Sequence, residues 1–133
     1  MMPSPRDEGR RWADEASAEL AATEYLIRGG YFNLACFHAQ QAAEKAVKGF
    51  LRSRGVEDPW GHSVGNLLGE AATHEQGVAA LHPLGASLDK FYIPTRYPNG
   101  LPGGLPSQAY TEPEARSALE GARLILGEMQ RRL

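Results

Sequence analysis

Two long stretches of helical periodicity meet at Gly29-Gly30, and this junction constrains the fold more than any other feature of the chain. Upstream, Trp12, Ala16, Leu20, Thr23 and Ile27 step by three or four residues and form one face of a helix, with Arg11, Asp14 and Glu15 on the other side. Downstream, from about Tyr31 to Arg54, one stripe reads Ala35, Ala39, Ala42, Ala46, Phe50 and a second reads Phe32, Cys36, Ala43, Val47, Leu51. Two adjacent apolar stripes predict a helix buried over a broad face, and its alanines permit close helix–helix approach. Two glycines between such helices predict an antiparallel hairpin of residues 7–28 and 31–54. Glycine also suits the left-handed position just past a helix end, which Gly29-Gly30 offers, and Gly55 closes the second helix. Pro3 and Pro5 predict a frayed lead-in.

The remainder is also helical in spacing. A helix is expected from about Ser63 through Val64, Leu67, Leu68 and Ala71. Val78, Leu81, Leu84, Leu88 and Phe91 are helically spaced, and Pro83 predicts either a break or a helix start among them. Tyr92 to Pro106 holds four prolines and three glycines and predicts a long loop. Thr111-Glu112-Pro113-Glu114 is a capping box ahead of a last helix whose apolar face runs from Ala115 to Leu133. No strand-period alternation occurs. The expected fold is all-α: an up-and-down bundle of about five helices, built on the hairpin, as one domain over residues 1–133.

Composition narrows the function classes. With 133 residues, 42% of them hydrophobic, the chain can bury a core without covalent staples. A net charge of −2 provides no whole-protein basic field, so nucleic-acid contact would need a local patch. The single cysteine, Cys36, rules out an internal disulfide and a multi-cysteine zinc site, and in a core stripe its thiol is inert. There is no phosphate-binding loop, dinucleotide fingerprint or G-x-S-x-G elbow, and no cofactor or metal is expected. No apolar run approaches the roughly 18 residues of a membrane span, and the first residues lack the apolar segment of a secretory signal. The expected setting is the cytoplasm, away from membranes.

Three places could carry chemistry. His38, Gln41, Lys45, Lys48 and Arg52 share one line along the second helix, and four basic residues face one acidic residue between His38 and Arg54. That stripe suits phosphates, or is a solvated face with a Glu44–Lys48 pair. In the proline-rich loop, Arg96 stands among Tyr92 and Tyr97, a guanidinium beside aromatic rings, suited to phosphate contact with base stacking or to anchoring the loop. His62, just before the third helix, is either a site residue or a structural neighbour of a cap.

Phe37-His38-Ala39-Gln40-Gln41-Ala42-Ala43-Glu44-Lys45-Ala46-Val47-Lys48, then His62-Ser63, Leu88-Asp89-Lys90-Phe91-Tyr92-Ile93-Pro94-Thr95-Arg96-Tyr97-Pro98 and Tyr110-Thr111, resemble the HEPN family of small prokaryotic proteins. The resemblance runs from about Trp12 to the last helix. It implies two long antiparallel helices with shorter ones packed on them, commonly as a homodimer. It also implies a link to nucleotides or RNA, often beside a small nucleotidyltransferase, and in some pairs a toxin–antitoxin system. Catalytic members resemble metal-independent ribonucleases with an Arg four to six residues before a His. Here seven residues separate Arg54 from His62, and nine separate Arg52 from it, so the strict signature is absent. The expectation is a nucleotide- or RNA-binding module using His38, Gln41, Lys45, Lys48, Tyr92, Arg96 and Tyr97, with a nucleotidyltransferase as partner. The alternatives are an endoribonuclease toxin using His62 with Arg54 or Arg96, and a purely structural helical dimer.

Overall fold

The computed structural model describes residues 3–133. It contains six α-helices: α1 (Pro5–Arg28), α2 (Phe32–Ser53), α3 (Val64–Ala72), α4 (His82–Asp89), the single turn α5 (Pro106–Ala109) and α6 (Glu112–Gln130). Two 3₁₀ segments, Gln76–Leu81 and Pro98–Gly100, complete the regular structure, and no strand occurs among the described residues.

The hairpin is closed by hydrogen bonds that glycine makes possible. Gly30 takes φ +82°, its N–H donates to the Ile27 carbonyl, and the Tyr31 N–H reaches back to Leu26 at 2.9 Å. This double bond pattern is a Schellman closure. It recurs at the end of α2, where Gly55 at φ +92° donates to Arg52 and Val56 donates to Leu51. The chain therefore turns back at Gly29-Gly30 without a free loop.

α2 is the central element. α1 packs along it on one side and α6 on another, while α3 covers part of its length and α4 lies against α3. Its predicted stripes are buried from Ala35 to Leu51, with Phe32 only partly covered. α1 and α2 approach each other closely at Gly9 and Gly49. A Cβ at Gly49 would lie 2.7 Å from the Trp12 Cβ and 2.9 Å from the Gly9 carbonyl oxygen. Side chains at either position would hold the helices apart.

Several boundaries differ from the sequence expectations. The first helix starts at Pro5, because Ser4 and Asp7 form a reciprocal capping box and proline fits the first turn. Pro83 sits in the first turn of α4, which resolves the break-or-start alternative as a start. Phe91 lies beyond α4 and is not exposed: it packs on the core with its ring 6.1 Å from that of Tyr110. A further single turn, α5, begins at Pro106, where a loop end was expected. The capping box at Thr111 and Glu114 is present as expected.

Candidate functional site

The line of polar residues on α2 divides into two ion-pair clusters. His38 Nδ1 lies 2.8 Å from Glu19 Oε2, and Lys45 Nζ lies 2.6 Å from Glu19 Oε1, so both side chains are held by one carboxylate on α1. Burial pushes the Glu19 carboxyl upward, but the bonds from His38 and Lys45 outweigh it and hold the group below its ordinary value of 4.5. A carboxylate depressed in the folded state contributes stability above its ordinary pKa and loses it as pH falls through the folded value. In unfolding titrations, Glu19→Gln is therefore expected to be less stable than the parent at neutral pH, with the gap closing as pH drops below 4.5.

The second cluster centres on Glu44, whose side chain is 8% exposed. Lys48 Nζ lies 3.1 Å from it, Gln41 Nε2 donates to it at 3.3 Å, and His62 Nδ1 is 3.3 Å from both its oxygens. His62 arrives from the loop before α3, and its side chain is 61% exposed. Its ring stacks on Tyr92, with centroids 5.0 Å apart and planes 17° apart. Beside it an open cleft of about 550 Å³ is lined by Lys48, Trp60, His62 and Asn66. The sequence stripe reads as strongly basic only because Glu19, which balances it, lies on another helix.

Tyr92 leads to Arg96. The guanidinium carbon of Arg96 sits 4.4 Å from the Phe37 ring centre, 4.6 Å from Tyr92 and 5.0 Å from Tyr97. Its Nε donates to the Tyr92 carbonyl at 2.8 Å. Among the described residues, no carboxylate pairs with it. The loop carrying it is pinned to α2. Thr95 is fully buried, its hydroxyl donates to the Phe91 carbonyl, and the Asn33 side chain donates to the Thr95 carbonyl at 3.0 Å.

The structure thus brings His62, Tyr92, Tyr97 and Arg96 to one surface with Phe37 and the Glu44–Lys48 pair. His38 and Lys45 flank it towards α1. Arg54 is elsewhere: it donates to the Arg132 carbonyl, lies 3.7 Å from Glu75 and packs over Phe50. Ten residues beyond Glu44 and just past the end of α2, it is about 15 Å away along the helix axis. Phe37, Asn33 and Thr95 carry no site role in the sequence, because the Phe37–Arg96 and Asn33–Thr95 contacts join distant parts of the chain, and Glu44 reads there only as the partner of Lys48. Cys36 is fully buried, and burial, with a smaller contribution from Glu114, pushes its thiol up to about 12, which leaves it unreactive.

Among the described residues, no helix is long and apolar enough to cross a membrane, and no three His, Cys, Asp or Glu side chains are grouped to hold a metal ion. The family model for the HEPN domain matches residues 10–132. The crystal structure of TT1696 from Thermus thermophilus is similar at 38% identity and a TM-score of 0.89, covering 95% of this chain and 98% of that one. ST0689, an archaeal HEPN homologue, is similar at 36% identity and a TM-score of 0.77, covering 98% of each chain. A HEPN domain protein from Thermotoga maritima is similar at 31% identity and a TM-score of 0.73, covering 91% of this chain and 95% of its own. No curated protein matches the chain.

Proposed function

The chain belongs to the HEPN domain family, and on that premise we propose that it is a nucleotide- or RNA-binding module that acts with a nucleotidyltransferase partner. Arg96 carries this reading. Three aromatic rings and a backbone carbonyl fix its guanidinium, while no carboxylate among the described residues neutralises it. A cation prepared in this way matches a phosphate, which its terminal N–H pair meets bidentately. Exposed Tyr97, beside Arg96, and exposed Trp60, in the cleft with His62, offer ring faces for bases. Lys48, Lys45, Gln41 and His38 supply further donors by exchanging Glu44 or Glu19 for phosphate oxygens. The test is titration of a short single-stranded RNA and of nucleoside monophosphates into the protein at two salt concentrations. Binding that weakens as salt rises is expected; no binding at millimolar ligand would favour a purely structural role.

The endoribonuclease reading is favoured by one observation, the pairing of His62 with Glu44. A carboxylate at Nδ1 orients the ring and leaves Nε2 to accept a proton from a 2′-hydroxyl. Arg96, on the same Tyr92 ring, would then face the developing negative charge. RNA cleavage by the wild type that is lost in His62→Ala would select this reading; intact RNA with both proteins would remove it.

A homodimer fits both readings. Trp60 is 87% exposed and Tyr25 77%, leaving large apolar side chains without cover in the single chain. Light scattering at high micromolar concentration is expected to give twice the chain mass, and a strict monomer would contradict it.

A further inference from the structure

Asp89, the last residue of α4, makes contacts that the binding reading leaves unused. Its carboxylate accepts four hydrogen bonds: from the Val64 N–H at 2.7 Å and Gln40 Nε2 at 3.1 Å on Oδ1, and from the Ser63 hydroxyl at 2.8 Å and the Gly65 N–H at 3.0 Å on Oδ2. A carboxylate has about four acceptor sites, so this one is saturated. Ser63 in turn accepts from the Asn66 N–H at 3.1 Å, and the first three N–H groups of α3 are therefore satisfied by this pair of side chains. Gln40, fully buried on α2, uses its other amide proton on the His62 carbonyl at 2.8 Å. The backbone is thus fixed at the His62 carbonyl and at the N–H groups of Val64, Gly65 and Asn66, with Ser63 held by its hydroxyl.

The main chain of Asp89 holds the other half of the stack. The Tyr92 N–H donates to the Asp89 carbonyl at 3.2 Å. The Asp89 side chain therefore holds the three residues that follow His62 and, through Gln40, bears on the His62 carbonyl, while its backbone holds Tyr92, and Arg96 follows because its Nε donates to the Tyr92 carbonyl.

We propose that Asp89 is the positioning residue of the His62–Tyr92–Arg96 surface, setting the His62 ring against Tyr92 and so fixing the spacing between His62 and Arg96; its consequence for binding rests on the function proposed above. Asparagine at this position keeps one acceptor oxygen but turns an amide N–H₂ towards groups that are themselves donors. The start of α3 is then released, and the rings separate while the bundle persists.

The test compares Asp89→Asn with Gly49→Ala, a variant at the α1–α2 crossing away from this surface. Each is measured for thermal stability, for the proton shifts of the His62 ring, which the Tyr92 ring current displaces, and for RNA affinity. Asp89→Asn is expected to remain helical, to lose the His62 ring-current displacement and to bind RNA about tenfold more weakly. Gly49→Ala is expected to lose stability with both site readouts unchanged. An unaltered His62 shift in Asp89→Asn, or equal site changes in the two variants, would overturn the proposal. If Asp89→Asn does not fold, Ser63→Ala replaces it, with the same displacement expected to shrink and an unchanged one contradicting the proposal. The His62 shift needs no ligand, so a wild type that binds no RNA would defeat the proposed function while leaving this test intact.

Discussion

Arg96→Ala is expected to lose tenfold or more in affinity for RNA or nucleotide, with a flatter dependence on salt, while the fold persists. Withdrawing a fixed guanidinium from a phosphate takes away a charge-assisted, bidentate interaction worth about 1.5–3 kcal/mol. It also removes one counterion-releasing site, which lowers the salt slope by about one. The rings around Arg96 are partly exposed, and cation–π contacts at such sites are worth about 0.5–1 kcal/mol each. Some loss of melting temperature is therefore expected from the same variant. The two effects are separable because the loop is held mainly by Thr95, Asn33 and the turn at Tyr92, none of which needs the guanidinium. Arg96→Lys is expected to restore binding only in part, since a lysine ammonium presents no planar fork. Isothermal titration and thermal unfolding on one purified sample of each variant check both quantities. A full loss of binding that only follows unfolding would make Arg96 a structural anchor.

Gly49→Ala is expected to cost about 2 kcal/mol, or roughly 6 °C in melting temperature. Alanine gains about 1 kcal/mol of helix propensity over glycine, so the steric term must exceed that gain. It does so because the new methyl group would meet a backbone oxygen at 2.9 Å and the Trp12 Cβ at 2.7 Å, neither of which is the end of a flexible side chain. Relief requires α1 to move off α2. Gly9→Ala meets the same crossing from the other side, where its Cβ would lie 2.7 Å from the Gly49 carbonyl oxygen. The double variant is expected to cost less than the sum of the two, because a crossing opened once admits the second methyl group. Chemical denaturation of the single and double variants measures this directly.

The hairpin was legible in the sequence because everything that makes it is local. The α2 stripes repeat every three or four residues, and Gly30 and Gly55 stand where a left-handed residue is required. The α6 capping box could be read for the same reason, since Thr111 and Glu114 lie three residues apart. The box at Ser4 and Asp7 has the same spacing but is hidden by Pro3 and Pro5, which suggest a frayed lead-in, although proline in a first helical turn favours the helix.

The site was legible in its residues but not in its connections. Arg96 with its tyrosines stood out in composition, yet Asn33 reaches the Thr95 carbonyl across 62 positions, and no periodicity records such a contact. Glu19 likewise bonds His38 from 19 positions away on another helix. A basic stripe counted on α2 alone therefore overstates the free charge, whereas Arg96 has no carboxylate partner among the described residues. Sequence spacing also made Arg54 a candidate partner for His62, whereas the course of α2 carries it away to Arg132 and Glu75.

The central claim is that the Arg96–Tyr92–His62 surface is where a phosphate-bearing ligand binds. Nuclear magnetic resonance titration of the isotope-labelled protein with a short single-stranded RNA tests it most directly, read at the Arg96 side-chain Nε–H, the His62 ring and the Trp60 indole N–H. The account predicts saturable shifts at Arg96 and His62, with the His62 shift in Arg96→Ala needing about tenfold or more RNA to saturate. Saturable shifts confined to other surfaces, with Arg96 and His62 unmoved, would contradict it.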